Sequence, residues 1–140
     1  LQESFGDNRF YFAGFDLAKS PVLYCKRKYA KKGVQFHCSS IPSEIAHYNV
    51  MSGTFNYAPD LTVRAWRDYL FTSLNSIWGV TRHSMIFNLM IAEEEKITPQ
   101  KIAYIKKETI VEFCQRNFGA TYEHLSVKLP KEITLAVCKI

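Results

Sequence analysis

The chain has 140 residues, of which 47% are hydrophobic and 14% aromatic. That is enough apolar material to build a core, and it excludes an intrinsically disordered segment. The formal net charge is +5, and Lys26, Arg27, Lys28, Lys31 and Lys32 alone account for it, so the rest of the chain sums to zero. A basic patch on a neutral body differs from the spread of basic residues expected of a nucleic-acid groove. No apolar run approaches the roughly 20 residues that span a bilayer. The chain starts at Leu1 without a visible signal peptide, which reads as an excised domain with an anchor or signal upstream. One globular domain, 1–140, is expected.

In chain order, residues 9–15 (RFYFAGF) are aromatic and strand-like, with Gly14 suggesting a bulge or a close backbone approach. Residues 22–30 and 34–40 read as a hairpin around Lys31-Lys32-Gly33. With Lys31 and Lys32 as the central turn residues, Cys25 lies opposite Cys38, and side-chain alternation supports the same parity. The five basic residues then form the hairpin tip. They serve either as a solvated guard against edge pairing or as a surface for an acidic partner or an anionic membrane. Pro42-Ser43-Glu44 opens a short helix ending at Ser52-Gly53, and residues 54–57 form a brief strand.

Residues 62–78 give the clearest helix. Val63, Trp66, Leu70, Leu74, Ile77 and Trp78 share one face, and Arg67 must snorkel out of it. Residues 83–92 read as a central buried strand. Thr98-Pro99 looks like a helix start, giving a second helix over 99–118 with Ile102, Ala103, Ile110, Phe113 and Cys114 on one face. The alternation at Leu125, Val127 and Leu129, and again at Ile133, Leu135 and Val137, closes the chain as a second hairpin. The expected fold is α+β, an antiparallel sheet of hairpins packed against two main amphipathic helices.

The hairpin register favours a Cys25–Cys38 disulfide, which leaves Cys114 for Cys138; four reduced cysteines are the alternative. No Cys or His spacing fits a zinc site. His37, His47, His83 and His124 match no catalytic signature and stand as candidate pH sensors. No dinucleotide fingerprint, P-loop or nucleophile elbow appears. No catalytic, metal or cofactor-binding residue is assigned, no cofactor is expected, and the chain reads as a non-enzyme.

With Gly53-Thr54-Phe55 and the closing Thr134-Leu135-Ala136-Val137 as local echoes, residues 52–140 resemble the periplasmic portions of ToxS-like and PsaF/MyfF-like accessory proteins. That resemblance implies a periplasmic, inner-membrane-anchored domain with a role in virulence regulation. It would bind and stabilise the periplasmic part of a membrane-bound transcription activator, sense pH or a small molecule, and touch no nucleic acid directly. Two other readings remain: an extracytoplasmic binder of a small apolar ligand, and a small cytosolic enzyme with reduced cysteines.

Overall fold

The computed structural model describes residues 10–139, so Arg9, the first residue of the expected aromatic strand, lies outside them. The chain divides into two compact units, Leu1–Pro42 and Ser43–Ile140.

In the first unit, β1 (Phe12–Asp16), α1 (Lys19–Lys28) and β2 (Val34–Cys38) form one strand–helix–strand crossover, with β1 and β2 paired in parallel. The hairpin expected over 22–40 is therefore not formed. Val22, Cys25 and Tyr29 are the inward positions of this stretch, a three-then-four spacing that belongs to a helix. Pro21, inside the first turn, costs no hydrogen bond because those N–H groups lack intrahelical acceptors anyway. Gly14 lets the Phe36 ring lie across β1, since a Cβ there would sit 2.7 Å from that ring.

In the second unit, β3 (Ala46–Met51), α2 (Val63–Gly79) and β4 (Thr81–Met90) repeat the strand–helix–strand pattern, again with parallel strands. A small hairpin of β5 (Lys96–Ile97) and β6 (Ala103–Tyr104) leads into α3 (Lys107–Asn117). The unit closes with β7 (Ala120–Leu125) and β8 (Glu132–Cys138). The sheet order is β3-β4-β8-β7, with β8 antiparallel to both neighbours. The sheet is thus mixed, and the expected antiparallel sheet of hairpins against two main helices is corrected to strand–helix–strand crossovers with three helices among the described residues. Parallel strands need such a crossover because no short turn can join them.

The helix expected over 62–78 is α2. Thr62 caps it, its hydroxyl accepting from the Ala65 N–H at 3.2 Å. Its inward face buries Trp66, Leu70, Leu74 and Ile77 against the sheet face made by Met85, Phe87 and Leu89 of β4 with Val137, Leu135 and Ile133 directly opposite on β8. Phe71 of α2 stacks on Phe113 of α3 at 3.9 Å between ring centroids. The second helix begins eight residues later than 99. Thr98-Pro99 makes the β5–β6 turn instead: the Thr98 hydroxyl accepts from the Ile102 N–H at 3.2 Å, and Lys101 takes a φ of 65°. Residues 46–51, read as helix, are β3. Residues 54–57, read as strand, are the loop after it.

Candidate functional site at the carboxyl ends of the parallel strands

In open α/β sheets, ligands bind beyond the carboxyl ends of parallel strands, where loops lead into the crossover helices. Each unit has one such place.

In the first unit it is occupied by Asp16, the last residue of β1 and an exposed one. Its Oδ1 accepts the Ala18 N–H at 2.7 Å and so fixes the turn into α1. The other carboxylate oxygen has no partner among the described residues. At the neighbouring end of β2, Ser39 donates its backbone N–H to the Asp16 carbonyl at 3.0 Å. A carboxylate held this way presents acceptor capacity to hydroxyl donors at the mouth of the strand pair.

In the second unit the corresponding loop runs from the end of β3 to α2 and is held from three directions. The Gly53 N–H donates to Asn88 Oδ1 at 2.6 Å, and Gly53 adopts a φ of 69°, which suits glycine. Asn56 Oδ1 accepts the Met90 N–H at 3.2 Å, and the Asn56 carbonyl accepts the Ala103 N–H at 2.9 Å. From beneath, the Trp66 indole N–H donates to the Phe55 carbonyl at 2.9 Å, with both residues buried. The end of β3, the end of β4 and the β5–β6 hairpin are thus tied into one loop cluster. Beyond β4, Glu95 pairs with Arg67 at 2.9 Å, so Arg67 meets a carboxylate rather than only reaching solvent.

The four cysteines are all free. Cys25 sits on α1 rather than on a strand, so the register that would oppose it to Cys38 does not exist. The Cys38 thiol donates to the Leu17 carbonyl at 3.4 Å. Cys138 accepts from the Ser84 hydroxyl at 3.2 Å. Cys114 is fully buried in α3, where desolvation pushes its pKa up to about 12. The proposed Cys25–Cys38 and Cys114–Cys138 disulfides are therefore corrected to free thiols.

The histidines do not gather as a set. His47 and His83 lie on neighbouring strands with ring centroids 5.1 Å apart. His37 stacks on Phe15 in the first unit, and His124 stands on β7. Among the described residues no group of three His, Cys, Asp or Glu could hold a metal ion, and no helix is long and apolar enough to cross a membrane. Lys26, Arg27 and Lys28 form the last turn of α1, and Lys31 and Lys32 the turn before β2. Sequence reasoning missed Asp16, Asn56 and Asn88. The legible signal for Asp16 was an acidic residue closing an aromatic strand just ahead of a Ser-Pro helix start.

No protein-family model and no curated sequence matches the chain. Solved structures do. It is similar to magnesium protoporphyrin IX methyltransferase (ChlM) from Synechocystis PCC 6803 with bound SAM, at 9% identity and a TM-score of 0.64, covering 93% of this chain and 60% of that one. The DhpI–SAH complex gives 10% identity, a TM-score of 0.63, and 92% and 65% coverage. The N-methyltransferase NodS from Bradyrhizobium japonicum WM9, in complex with S-adenosyl-L-homocysteine, gives 10%, 0.60, and 91% and 65%. The chain therefore spans between 60% and 65% of the length of these structures. These likenesses overturn the resemblance to ToxS-like and PsaF/MyfF-like proteins. The closing Thr-Leu-Ala-Val segment is the strand inserted antiparallel between β4 and β7, and Gly53-Thr54-Phe55 is the loop after β3. With that resemblance go the periplasmic, transcription-regulating accessory role, the link to virulence and the reading as a non-enzyme. The other two readings, an extracytoplasmic binder of a small apolar ligand and a small cytosolic enzyme with reduced cysteines, fit these likenesses less well. The chain has a methyltransferase-like fold, with a mixed sheet and three helices among the described residues.

Proposed function

We propose that this chain is part of an S-adenosylmethionine-dependent methyltransferase, with Asp16 holding the ribose of the cofactor. The observation that carries the reading is an acceptor carboxylate at the carboxyl end of a parallel strand, in a chain whose fold matches methyltransferases solved with SAM or SAH. Doubly wound sheets use an acidic residue in such a place to accept hydrogen bonds from ribose hydroxyls.

The acceptor carboxylate fits the ribose hydroxyls of the cofactor. Asp16 keeps one oxygen on Ala18 and has the other available for a vicinal diol. The glycine-rich turn that holds charged cofactor groups in such folds is not among residues 1–140, so no residue is assigned to the methionine end. When bound, the cofactor supplies an electrophilic methyl group, and the protein's part is binding and orientation. Asp16 binds and orients. In the second unit, taken by itself, the loop fixed by Asn88, Asn56 and Trp66 is preset at the ends of β3 and β4.

The test is calorimetric titration of S-adenosyl-L-homocysteine into the polypeptide that carries this chain, with Asp16→Asn as the variant. The amide can still accept from Ala18 while losing the charged acceptor, so the turn is preserved. A charge-assisted hydrogen bond of about 1.5–3 kcal/mol corresponds to a loss of roughly 10- to 100-fold in affinity. Equal affinity in the variant would remove Asp16 from the site, and no binding by either protein would remove the cofactor.

A further inference from the structure

We propose that the outer edge of β2, together with the basic end of α1, is a docking surface for an acidic polypeptide segment that adds to the sheet as an extended strand. The inference stands on the first unit alone and does not depend on the methyltransferase reading.

The backbone parity comes first. Phe12 donates its N–H to the Gly33 carbonyl, and Ser39 donates its own to the Asp16 carbonyl. In a parallel ladder the groups used alternate along the strand. Gly33, Gln35, His37 and Ser39 therefore turn their backbone groups toward β1, while Phe36 and Cys38 turn theirs outward. No strand of the described residues lies on that side. Beside the edge runs a groove of about 350 Å³, lined by Lys26, Ala30 and Lys31 and by residues 34–37 of β2.

The charge comes second. Lys26, Arg27, Lys28, Lys31 and Lys32 carry five positive charges within seven positions. Among the described residues every ion pair lies in the other unit. Of the five, Lys28 is held by the Tyr24 hydroxyl at 2.9 Å and lies over the Tyr24 and Tyr29 rings. Three of the five complement the carbonyl end of α1, but Lys31 and Lys32 lie beyond the helix, where its dipole does not account for them. Lysines beside an open edge repel a basic strand and tolerate a neutral one poorly, while they attract an acidic one.

The placement sets the basic end of this surface apart from Asp16, while its other end, at Cys38, is the register partner of Asp16. β1 and β2 are parallel, so the basic turn sits at their amino ends and Asp16 at the carboxyl end. The five residues of β2 hold the two about 13 Å apart at roughly 3.3 Å per residue. Backbone groups repeating along an edge suit a peptide, which carries its own N–H and C=O ladder. A phosphodiester chain has no N–H to return.

The probe is a fluorescein-labelled octapeptide of alternating glutamate and valine, read by fluorescence polarisation and by amide hydrogen exchange on the full chain. Binding should slow exchange at Phe36 and Cys38, the outward amides, and leave Gln35 and His37 unchanged. Lys26→Glu combined with Lys31→Glu should weaken binding about tenfold at low salt. Exchange in the peptide-free variant should match that of the parent, which shows that the fold is intact. Four outcomes overturn the proposal: no binding at about 1 mM; binding that leaves Phe36 and Cys38 exchange unchanged; equal binding of a peptide N-methylated at alternate residues; or tighter binding of an oligothymidylate of equal charge.

Discussion

Replacing Trp66 by phenylalanine tests how the loop after β3 is held. Trp66 is 1% exposed and Phe55 2%, and the indole N–H donates to the Phe55 carbonyl. Phenylalanine keeps an aromatic ring against the sheet but leaves that carbonyl buried and unpaired, at a cost of about 1–3 kcal/mol. The smaller ring leaves a void of roughly 40 Å³, and at about 24 cal/mol per Å³ this adds about 1 kcal/mol. The sum, about 2–4 kcal/mol, lowers the urea midpoint by about 1–2 M for a slope near 2 kcal/mol/M. Unfolding should be followed by far-ultraviolet circular dichroism, because the substitution removes one of two tryptophans. Trp78→Phe is the control: its ring meets Phe118 and the Lys139 ammonium, and its indole N–H has no hydrogen-bond acceptor among the described residues. A midpoint shift below about 0.3 M, or one no larger than that of Trp78→Phe, would refute the argument that the indole bond anchors the loop.

Three further outcomes follow from the same packing. Leu135→Ala, at the fully buried centre of β8, should destabilise by about 2–5 kcal/mol in chemical denaturation. Glu123→Gln removes the partner of Lys107 across 2.8 Å, but both side chains are a third or more exposed; the loss of stability should be small beside that of Leu135→Ala and vanish in high salt. Cys114 stays protonated up to about pH 12 in the folded chain, because burial disfavours the thiolate, while an exposed thiol titrates near 9. The folded state then binds the extra proton between those values, so stability falls as pH rises through that window, by up to about 1.4 kcal/mol per unit. Cys114→Ala should flatten that alkaline decline, and in the native chain a thiol reagent should modify exposed Cys38 well before Cys114.

What the sequence disclosed and withheld divides along local lines. α2 was legible because cap, apolar stripe and terminal glycine agree over 17 residues. β4 and β8 were legible because an apolar run and a strict alternation leave few alternatives. α1 was misread because Val22, Leu23 and Tyr24 carry strand propensity and Lys31-Lys32-Gly33 resembles a hairpin turn; the helical spacing of Val22, Cys25 and Tyr29 was the stronger signal. At β3, Pro42-Ser43-Glu44 imitated a helix start and hid the alternation of Tyr48 and Val50. Parallel pairing left no local trace, since partners joined by a crossover share no turn. That also concealed Asp16, whose meaning depends on lying at the end of a parallel strand.

The place of β8 in the sheet governs the order in which the second unit is completed during synthesis. It is the last strand of that unit in chain order, yet it lies between β4 and β7. Until it leaves the ribosome, β7 has no strand to pair with, and Met85, Phe87 and Leu89 lack the Val137, Leu135 and Ile133 that lie opposite them. The nascent chain therefore carries an open strand edge and an uncovered apolar face through some forty residues of elongation, the interval in which this unit is most exposed to aggregation.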